Sequence, residues 1–202
     1  MSVSKLAITG ALVSMVFAAL CLSGCGGGGG EVATADVTGT IQDDSSLVGL
    51  SGAVARVDSR TSAPTGPNGS FTVENVPVGT RQLVIALAGY QTVTVPVTVN
   101  GGGTNVGTVY VPPVTVPGQG HIVGELRDNT GTVAGGTIVA GGKTAQSKPN
   151  GQFAIYNIAP GATAVTAQFS AKIARANVTV TADQTTSVVL GLSVSPPTPP
   201  TL

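Results

Sequence analysis

The chain of 202 residues has little of the chemistry that catalytic and metal sites usually draw on. It contains one histidine, two cysteines and no tryptophan, with 3% aromatic and 9% charged residues. Nine basic and nine acidic side chains cancel, which argues against a nucleic-acid partner because phosphate binding needs clustered Lys and Arg. A hydrophobic content of 42% argues against charged disorder. The scarcity of Glu, Lys and Leu argues against a helical bundle.

Val, Thr, Gly and Ala are abundant instead, a composition typical of β-sandwiches. Valines alternate with threonines over residues 93–99, and this period of two predicts a strand with its valines facing inward. Pro96 cannot donate to a ladder, so that strand is expected at a sheet edge or at a bulge. Such an edge is also a place where a partner protein can add a strand. The sequence predicts an all-β fold.

Residues 1–24 predict a signal peptide. One positive charge precedes an apolar run over residues 6–20, which is short for a membrane span. Leu22, Ser23 and Gly24 then precede Cys25, and this tetrapeptide resembles a bacterial lipobox, whose cysteine receives a diacylglyceryl group before cleavage. Two alternatives stay open, an ordinary secretory signal and a single uncleaved anchor helix.

The lipobox interpretation accounts for both cysteines. Cys21 would leave with the signal peptide and Cys25 would be blocked, so no thiol remains for a disulfide or a metal. Several acyl chains hold a protein stably at a membrane, which makes a membrane the expected partner through Cys25. Residues 25–34 then form a lipidated, Gly-rich tether. Gly26 follows the cysteine, and in enteric-type sorting this favours the outer membrane or cell surface over the inner membrane.

The rest of the chain consists of two copies of one unit. Residues 67–71 (PNGSF) return 82 positions later as residues 149–153 (PNGQF), and other matches keep the same offset. The Asn-Gly pairs predict two-residue hairpin turns with positive φ at both positions. The phenylalanine that follows each pair is expected at the centre of a core. The residues assigned to these turns and cores are Asn68, Gly69 and Phe71 in the first copy and Asn150, Gly151 and Phe153 in the second.

The order of motifs resembles the carboxypeptidase regulatory-like, or transthyretin-like, domains. The resemblance implies two tandem seven-stranded Greek-key sandwiches of the prealbumin type, without catalytic residues and with structural, adhesive or carbohydrate-contacting roles. The second copy lacks the Gly-Tyr pair of the family, and neither copy has its acidic residue before Asn. The motifs are GTIQD (39–43), GAV (52–54), VPVG (76–79) and GY (89–90) in the first copy, and GELRD (124–128) and IAPG (158–161) in the second. The expected boundaries are 1–24 (signal peptide), 25–34 (tether), 35–111 (first sandwich), 112–119 (Pro-rich linker), 120–194 (second sandwich) and 195–202 (Pro-rich tail).

Few residues remain as candidates for chemistry. His121 is the only histidine and is expected to be exposed at the start of a strand, with too few companions for a zinc site. Asp43 and Asp44 are interpreted as a solvated turn, with a Ca²⁺-binding loop as the alternative. Tyr90 and Tyr156 are the candidate stacking faces for sugars, although Tyr90 is expected to pack over the end of the sandwich. The basic residues are interpreted as a solvated face: Arg56, Arg60, Arg81, Lys143, Lys148 and Lys172.

The sequence therefore predicts a non-enzymatic lipoprotein of the cell envelope that presents two β-sandwiches as a structural or interaction module. No cofactor, metal or nucleic acid is expected, and a protein or a glycan is the expected envelope partner. A carbohydrate- or peptidoglycan-binding module is the alternative. An accessory subunit of an envelope enzyme or transporter is a third possibility.

Overall fold

The computed structural model describes residues 32–194, and all of their regular elements are β-strands. The all-β prediction is confirmed. The predicted signal peptide, the lipobox with Cys25 and the Pro-rich tail lie outside the described residues. Two separate hydrophobic cores lie between packed sheets, one built from residues 37–111 and the other from residues 122–192. The strands around them are called sandwich one and sandwich two.

Sandwich one contains seven strands in two sheets. One sheet has the order β4-β1-β7 and the other β3-β2-β5-β6. The pair β1–β7 is parallel, whereas the remaining pairs are antiparallel. The strands are β1 (Thr34–Asp43), β2 (Val54–Val57), β3 (Arg60–Thr61), β4 (Ser70–Pro77), β5 (Gly79–Ala86), β6 (Val93–Val99) and β7 (Thr104–Val111).

Sandwich two repeats this topology. Its sheets have the orders β12-β8-β15 and β11-β10-β13-β14-β16, with β9 added beside β8, and β8–β15 is the parallel pair. Without the two-residue strands β9 and β16, seven strands correspond in order to those of sandwich one. The strands are β8 (Gly120–Asp128), β9 (Gly131–Thr132), β10 (Thr137–Ala140), β11 (Lys143–Gln146), β12 (Gln152–Ile158), β13 (Gly161–Phe169), β14 (Lys172–Val180), β15 (Thr185–Gly191) and β16 (Ser193–Val194).

The alternation of apolar and polar residues decides which side chains enter the cores. In β6, Val97 and Val99 are buried while the intervening Thr98 is exposed. Phe71 and Phe153 are 5% and 2% exposed and occupy corresponding places in the two cores. Burying a phenylalanine removes a large apolar surface from water, and each of these rings is the only buried aromatic side chain of its core.

Pro96 lies in β6, and β6 is an edge strand that pairs with β5 alone. The expectation from its missing N–H is confirmed.

The Asn-Gly turns differ from the prediction. Only their glycines have positive φ, +73° for Gly69 and +79° for Gly151, so the turns are not of the primed hairpin type. The N–H of Gly69 donates to the carbonyl of Gly66 (2.9 Å), and the N–H of Gly151 to that of Lys148 (2.8 Å). Proline at the second turn position presets φ near −65° and favours an ordinary turn. Each turn carries the chain from one sheet to the other, whereas a hairpin would join neighbouring strands.

The glycine of this turn is held against the first strand of its sandwich. The N–H of Ile41 donates to the carbonyl of Gly69 (2.8 Å), and the N–H of Leu126 to that of Gly151 (2.9 Å). A Cβ at Gly69 would lie 2.0 Å from the carbonyl oxygen of Ile41, so a side chain does not fit there.

Candidate functional site

A cluster of polar side chains lies where the two sandwiches meet. Tyr156 and Tyr110 contact it through Asp44 and Lys148, whereas Tyr90 bonds to the neighbouring Asp43. The described strands of both sandwiches also belong to one compact unit. The junction is defined here by Asp44, Ser45, Tyr110, Gln146, Lys148 and Tyr156.

The turn after β1 brings sandwich one into this junction. Asp43 stabilises the turn, because its Oδ1 accepts the N–H groups of Ser45 (2.9 Å) and Ser46 (2.7 Å). Its Oδ2 accepts the hydroxyl of Tyr90 (2.9 Å) from the same sandwich. Both carboxylate oxygens of Asp43 are therefore used within sandwich one, and the turn is preorganised.

Asp44 points the other way, into sandwich two. Its Oδ2 accepts the hydroxyl of Tyr156 (2.6 Å) and its Oδ1 accepts the ammonium of Lys148. Asp44 is 7% exposed. A carboxylate that is removed from water needs such charged and hydrogen-bonded partners, and here the partners come from the other sandwich.

Lys148 also contacts the first sandwich through an aromatic ring. Its Nζ lies 4.9 Å from the ring centroid of Tyr110 in β7, within the range of a cation–π contact. The side chains of Lys148 and Asp44 are 16% and 10% exposed. Because the pair is largely shielded from water, it is worth more than a surface salt bridge and is more sensitive to loss of one partner.

His121 supports Tyr156 from within sandwich two. The ring centroids of the two residues are 5.3 Å apart, with a tilt of 54° between the rings. The Nδ1 of His121 accepts the N–H of Asn157 (3.1 Å). One imidazole nitrogen is thus occupied by the backbone and one ring face by tyrosine, which fixes the position of Tyr156.

Backbone hydrogen bonds reinforce the side-chain contacts. The N–H of Gln146 in β11 donates to the carbonyl of Ser45 (2.8 Å), which joins an edge strand of sandwich two to the turn of sandwich one. The segment expected as a linker, residues 112–119, is fixed as well. The Oδ1 of Asn157 accepts the N–H of Val116 (2.8 Å), and the Oδ1 of Asp183 accepts the N–H of Gly118 (2.8 Å).

Both carboxylate-bound tyrosines titrate above their ordinary range. Burial first, then the hydrogen bond and the negative charge of Asp43, raise the pKa of Tyr90 to about 12. Burial first, then Asp44 and more weakly Asp43, raise the pKa of Tyr156. Both hydroxyls keep their protons at neutral pH and act as hydrogen-bond donors.

A groove of about 470 Å³ lies beside the junction. Its floor is the outer face of the β12-β8-β15 sheet, with Val123, Ala154 and Val189 supplying apolar surface. Asp44 and Tyr156 line it as well, and Val189 is 63% exposed. This volume lies within the range of small-ligand pockets.

Three interpretations from the sequence need correction at this site. Asp44 is not part of a solvated turn, because it is buried against sandwich two. Lys148 does not belong to a solvated face, since it makes the central ion pair of the junction. His121 is half-buried against Tyr156 and was expected to be exposed. The contacts of Asp44 with Lys148 and Tyr156 join residues 104 and 112 positions apart. Their one signal in the sequence is that Lys148 stands where the carboxypeptidase regulatory-like pattern has an acidic residue.

Other predicted residues lie elsewhere. Tyr90 is half-buried against the core of sandwich one, as expected. Arg81 lies 3.6 Å from Asp58 and Lys172 lies 2.6 Å from Asp128, so these two cations form local pairs.

Among residues 32–194, no group of three or more His, Cys, Asp or Glu side chains is placed to hold a metal ion. The same residues contain no helix of the length and apolar character needed to cross a membrane.

Comparisons with known proteins give low structural similarity and no family. No protein-family model and no curated protein matches the chain. Among solved structures, the chain is similar to a mutant type II cohesin–X-dockerin complex from Acetivibrio cellulolyticus (22% identity, TM-score 0.34), covering 38% of this chain and 56% of that one. It is similar to a streptococcal ancillary pilin (17% identity, TM-score 0.33), with 81% of this chain and 63% of that chain covered. It is also similar to a minor pilin of Streptococcus agalactiae (12% identity, TM-score 0.32), with 84% of this chain and 100% of that chain covered. The first two matches span less than two thirds of the known chains.

Proposed function

We propose that the protein is a non-enzymatic lipoprotein of the cell envelope whose two sandwiches act as one rigid structural and interaction module. The lipid on Cys25 holds it at the membrane, and the residues between Cys25 and β1 separate the folded part from the surface. The observation that supports rigidity is the buried Asp44–Lys148 pair, which joins residues of different sandwiches.

The chemistry of the junction favours a mechanical role over a catalytic one. The carboxylate oxygens of Asp43 and Asp44 accept hydrogen bonds from neighbouring side chains and backbone groups. The Nδ1 of His121 is occupied by a backbone N–H. Groups with such fixed partners hold a structure in one arrangement, whereas a general base needs a free position next to its substrate.

Calorimetry tests the rigid junction. We expect the full chain to unfold in one transition, because the sandwiches share a buried ion pair and a fixed linker. Lys148→Met should leave Asp44 without its cation and either split the transition or lower the melting temperature of one part. Lys143→Met, at an exposed position of β11, is the matched control and should change little. Two independent transitions in the unmodified chain would contradict a rigid unit.

Fractionation of cells that express the full chain tests the lipid anchor. Cys25→Ala should move the protein from the membrane fraction to the soluble extract, because no acyl chain can then be attached. Cys21→Ala is the matched control and should stay with the membrane. If the Cys25→Ala protein remains at the membrane, the lipoprotein assignment is wrong.

The groove beside the junction favours a glycan- or peptidoglycan-binding module as the second candidate. It combines an aromatic wall, Tyr156, with an apolar floor and the polar side chains of Gln152 and Ser187, which suits a sugar ring. Titration calorimetry with soluble peptidoglycan fragments would show saturable binding that Val189→Glu removes. Val139→Glu is the control, because Val139 is exposed on the other sheet, and this variant should bind the fragments normally. Absence of binding by the unmodified chain excludes this candidate.

A further inference from the structure

The junction has a simple geometric form, in which a turn of one sandwich fills a groove of the other. The turn is the one that follows β1, and it contacts sandwich two at β11, at the turn before β12 and at β12 itself. Gln146, Lys148 and Tyr156 are the contacts at these three places. Because the chain is a repeat, the corresponding groove of sandwich one and the corresponding turn of sandwich two can be compared with the junction.

The groove of sandwich one is open. It lies between β3 and β4, has a volume of about 720 Å³, and is lined on its two sides by Arg60 and Glu74. In the register of the repeat, Glu74 occupies the place of Tyr156 and Gly66 the place of Lys148. Neither Arg60 nor Glu74 forms an ion pair among residues 32–194.

The corresponding turn of sandwich two follows β8 and is exposed. Asp128 stands where Asp43 stands, and its Oδ1 accepts the N–H of Thr130 (2.8 Å) in the way that Asp43 holds Ser45. Asn129 therefore corresponds to Asp44, and Asn129 and Thr130 are both exposed. This turn is exposed and preorganised by the same kind of side-chain bond, but it is shorter than the turn at the junction. The N–H of Val133 donates to the carbonyl of Leu126, seven positions back, whereas the N–H of Leu50 donates to that of Ile41, nine positions back.

Compared with the junction, the open groove and the exposed turn differ in residues that complement each other. At the junction a tyrosine hydroxyl of the groove donates to an aspartate of the turn. At the equivalent positions the turn carries an amide, Asn129, and the groove a carboxylate, Glu74, so the donor now belongs to the turn and the acceptor to the groove. The charged pair Asp44–Lys148 has become the neutral pair Asn129–Gly66, so the one charge left among these positions is the carboxylate of Glu74.

We propose that the groove between β3 and β4 binds the β8–β9 turn of a second copy of this chain, with the amide of Asn129 donating to the carboxylate of Glu74. The contact uses different surfaces on the two copies, so it is a head-to-tail contact. Repetition of such a contact produces an open row of molecules unless the rotation closes a ring. Confinement to a membrane surface would raise the local concentration and favour the row.

Mixed cysteine variants test the contact directly. The full chain with Cys21→Ser and Cys25→Ser serves as the background, so that the introduced thiols are the only ones. A mixture of Glu74→Cys and Asn129→Cys should give a covalent dimer under mild oxidation, in at least about tenfold higher yield than either variant alone. Glu74→Cys mixed with Asn100→Cys, at an exposed turn of sandwich one, is the matched control. Equal yields in the two mixtures would overturn the proposal.

Sedimentation of the same background chain at rising concentration gives an independent readout. We expect concentration-dependent association that Glu74→Lys removes and that the exposed control Thr94→Lys retains. A chain that stays monomeric at every concentration, or an association that Glu74→Lys does not affect, would overturn the proposal. Neither result bears on the rigid junction, because that contact lies within one molecule and is measured by calorimetry.

Discussion

The two sandwiches have corresponding apolar inner faces and different outer faces. Phe71 and Phe153, like the glycines before them, occupy equivalent places. On the outer face of the first sheet, sandwich one presents Thr38 and Thr72 as neighbours across β1 and β4. Sandwich two has Val123 and Ala154 at the equivalent pair, and Ala154 is buried there. Packing restricts what an inner position accepts, whereas an outer position is free to become a junction or a groove.

The largest expected effect tests whether the two cores are equivalent. Phe71→Ala and Phe153→Ala should each lower the free energy of unfolding by about 3–5 kcal/mol, since each leaves a cavity at the centre of a core. Phe169→Ala is the control, because Phe169 is 39% exposed and should cost little. Chemical denaturation measures all three. A large loss of stability for only one of the two phenylalanine variants would show that the two cores are not equivalent.

The next largest effect concerns the turn glycines. Gly69→Ala should cost about 2 kcal/mol or more, because a positive φ and a close carbonyl both oppose a side chain. Gly151→Ala should cost less, because a Cβ added at Gly151 would lie 2.7 Å from the Cβ of Thr132 and 2.9 Å from the carbonyl oxygen of Leu126. Gly101→Ala, with open space around it, is the control. The reverse order of Gly69 and Gly151 in denaturant titrations would contradict the close approach at Ile41.

A smaller effect distinguishes the two tyrosine–aspartate bonds. Tyr156→Phe should lower the free energy of unfolding by about 1.5–3 kcal/mol, because it removes a donor to a largely buried carboxylate. Tyr90→Phe should cost less, since Asp43 keeps its two backbone donors from the turn. Thermal unfolding of both variants, with Tyr110→Phe as the control for loss of a hydroxyl, gives the order. Equal losses of stability would mean that the Tyr156–Asp44 bond at the junction contributes no more than the Tyr90–Asp43 bond within sandwich one.

The smallest effect is the dependence of stability on alkaline pH. The pKa of Tyr90 is raised in the folded chain to about 12, so folding favours the protonated phenol. Its contribution is complete below the unfolded pKa of about 10 and is lost as the pH rises through 12. Denaturant titrations from pH 8 to pH 12 should show this decline, and Tyr90→Phe should decline less. An identical slope in the variant would mean that Tyr90 makes no contribution.

Several elements of the fold follow from local pattern. The alternation over residues 93–99 predicted β6 and its inward valines, and Pro96 predicted an edge. The repeated PNG segment predicted a turn before a core phenylalanine, although the type of turn was wrong. Asn68-Gly69 taken alone predicts a hairpin turn, but Pro67 before it presets an ordinary turn.

The contacts of the junction could not be predicted in this way. Asp44 and Lys148 are 104 positions apart, and nothing in the neighbourhood of either residue reveals its partner. Adjacent residues at the end of β1 point in opposite directions, so Asp43 serves sandwich one while Asp44 serves sandwich two. Which of them is buried depends on the placement of the second sandwich.

The sequence by itself determined the strands, the repeat and the inner faces, because a period of two and a buried phenylalanine are local consequences of hydrophobicity and backbone geometry. The tertiary structure decided which groove is filled and which stays open. That outcome depends on the charge and hydrogen-bonding groups that two separately folded surfaces bring together, and a carboxylate finds its cation only when both surfaces are in place.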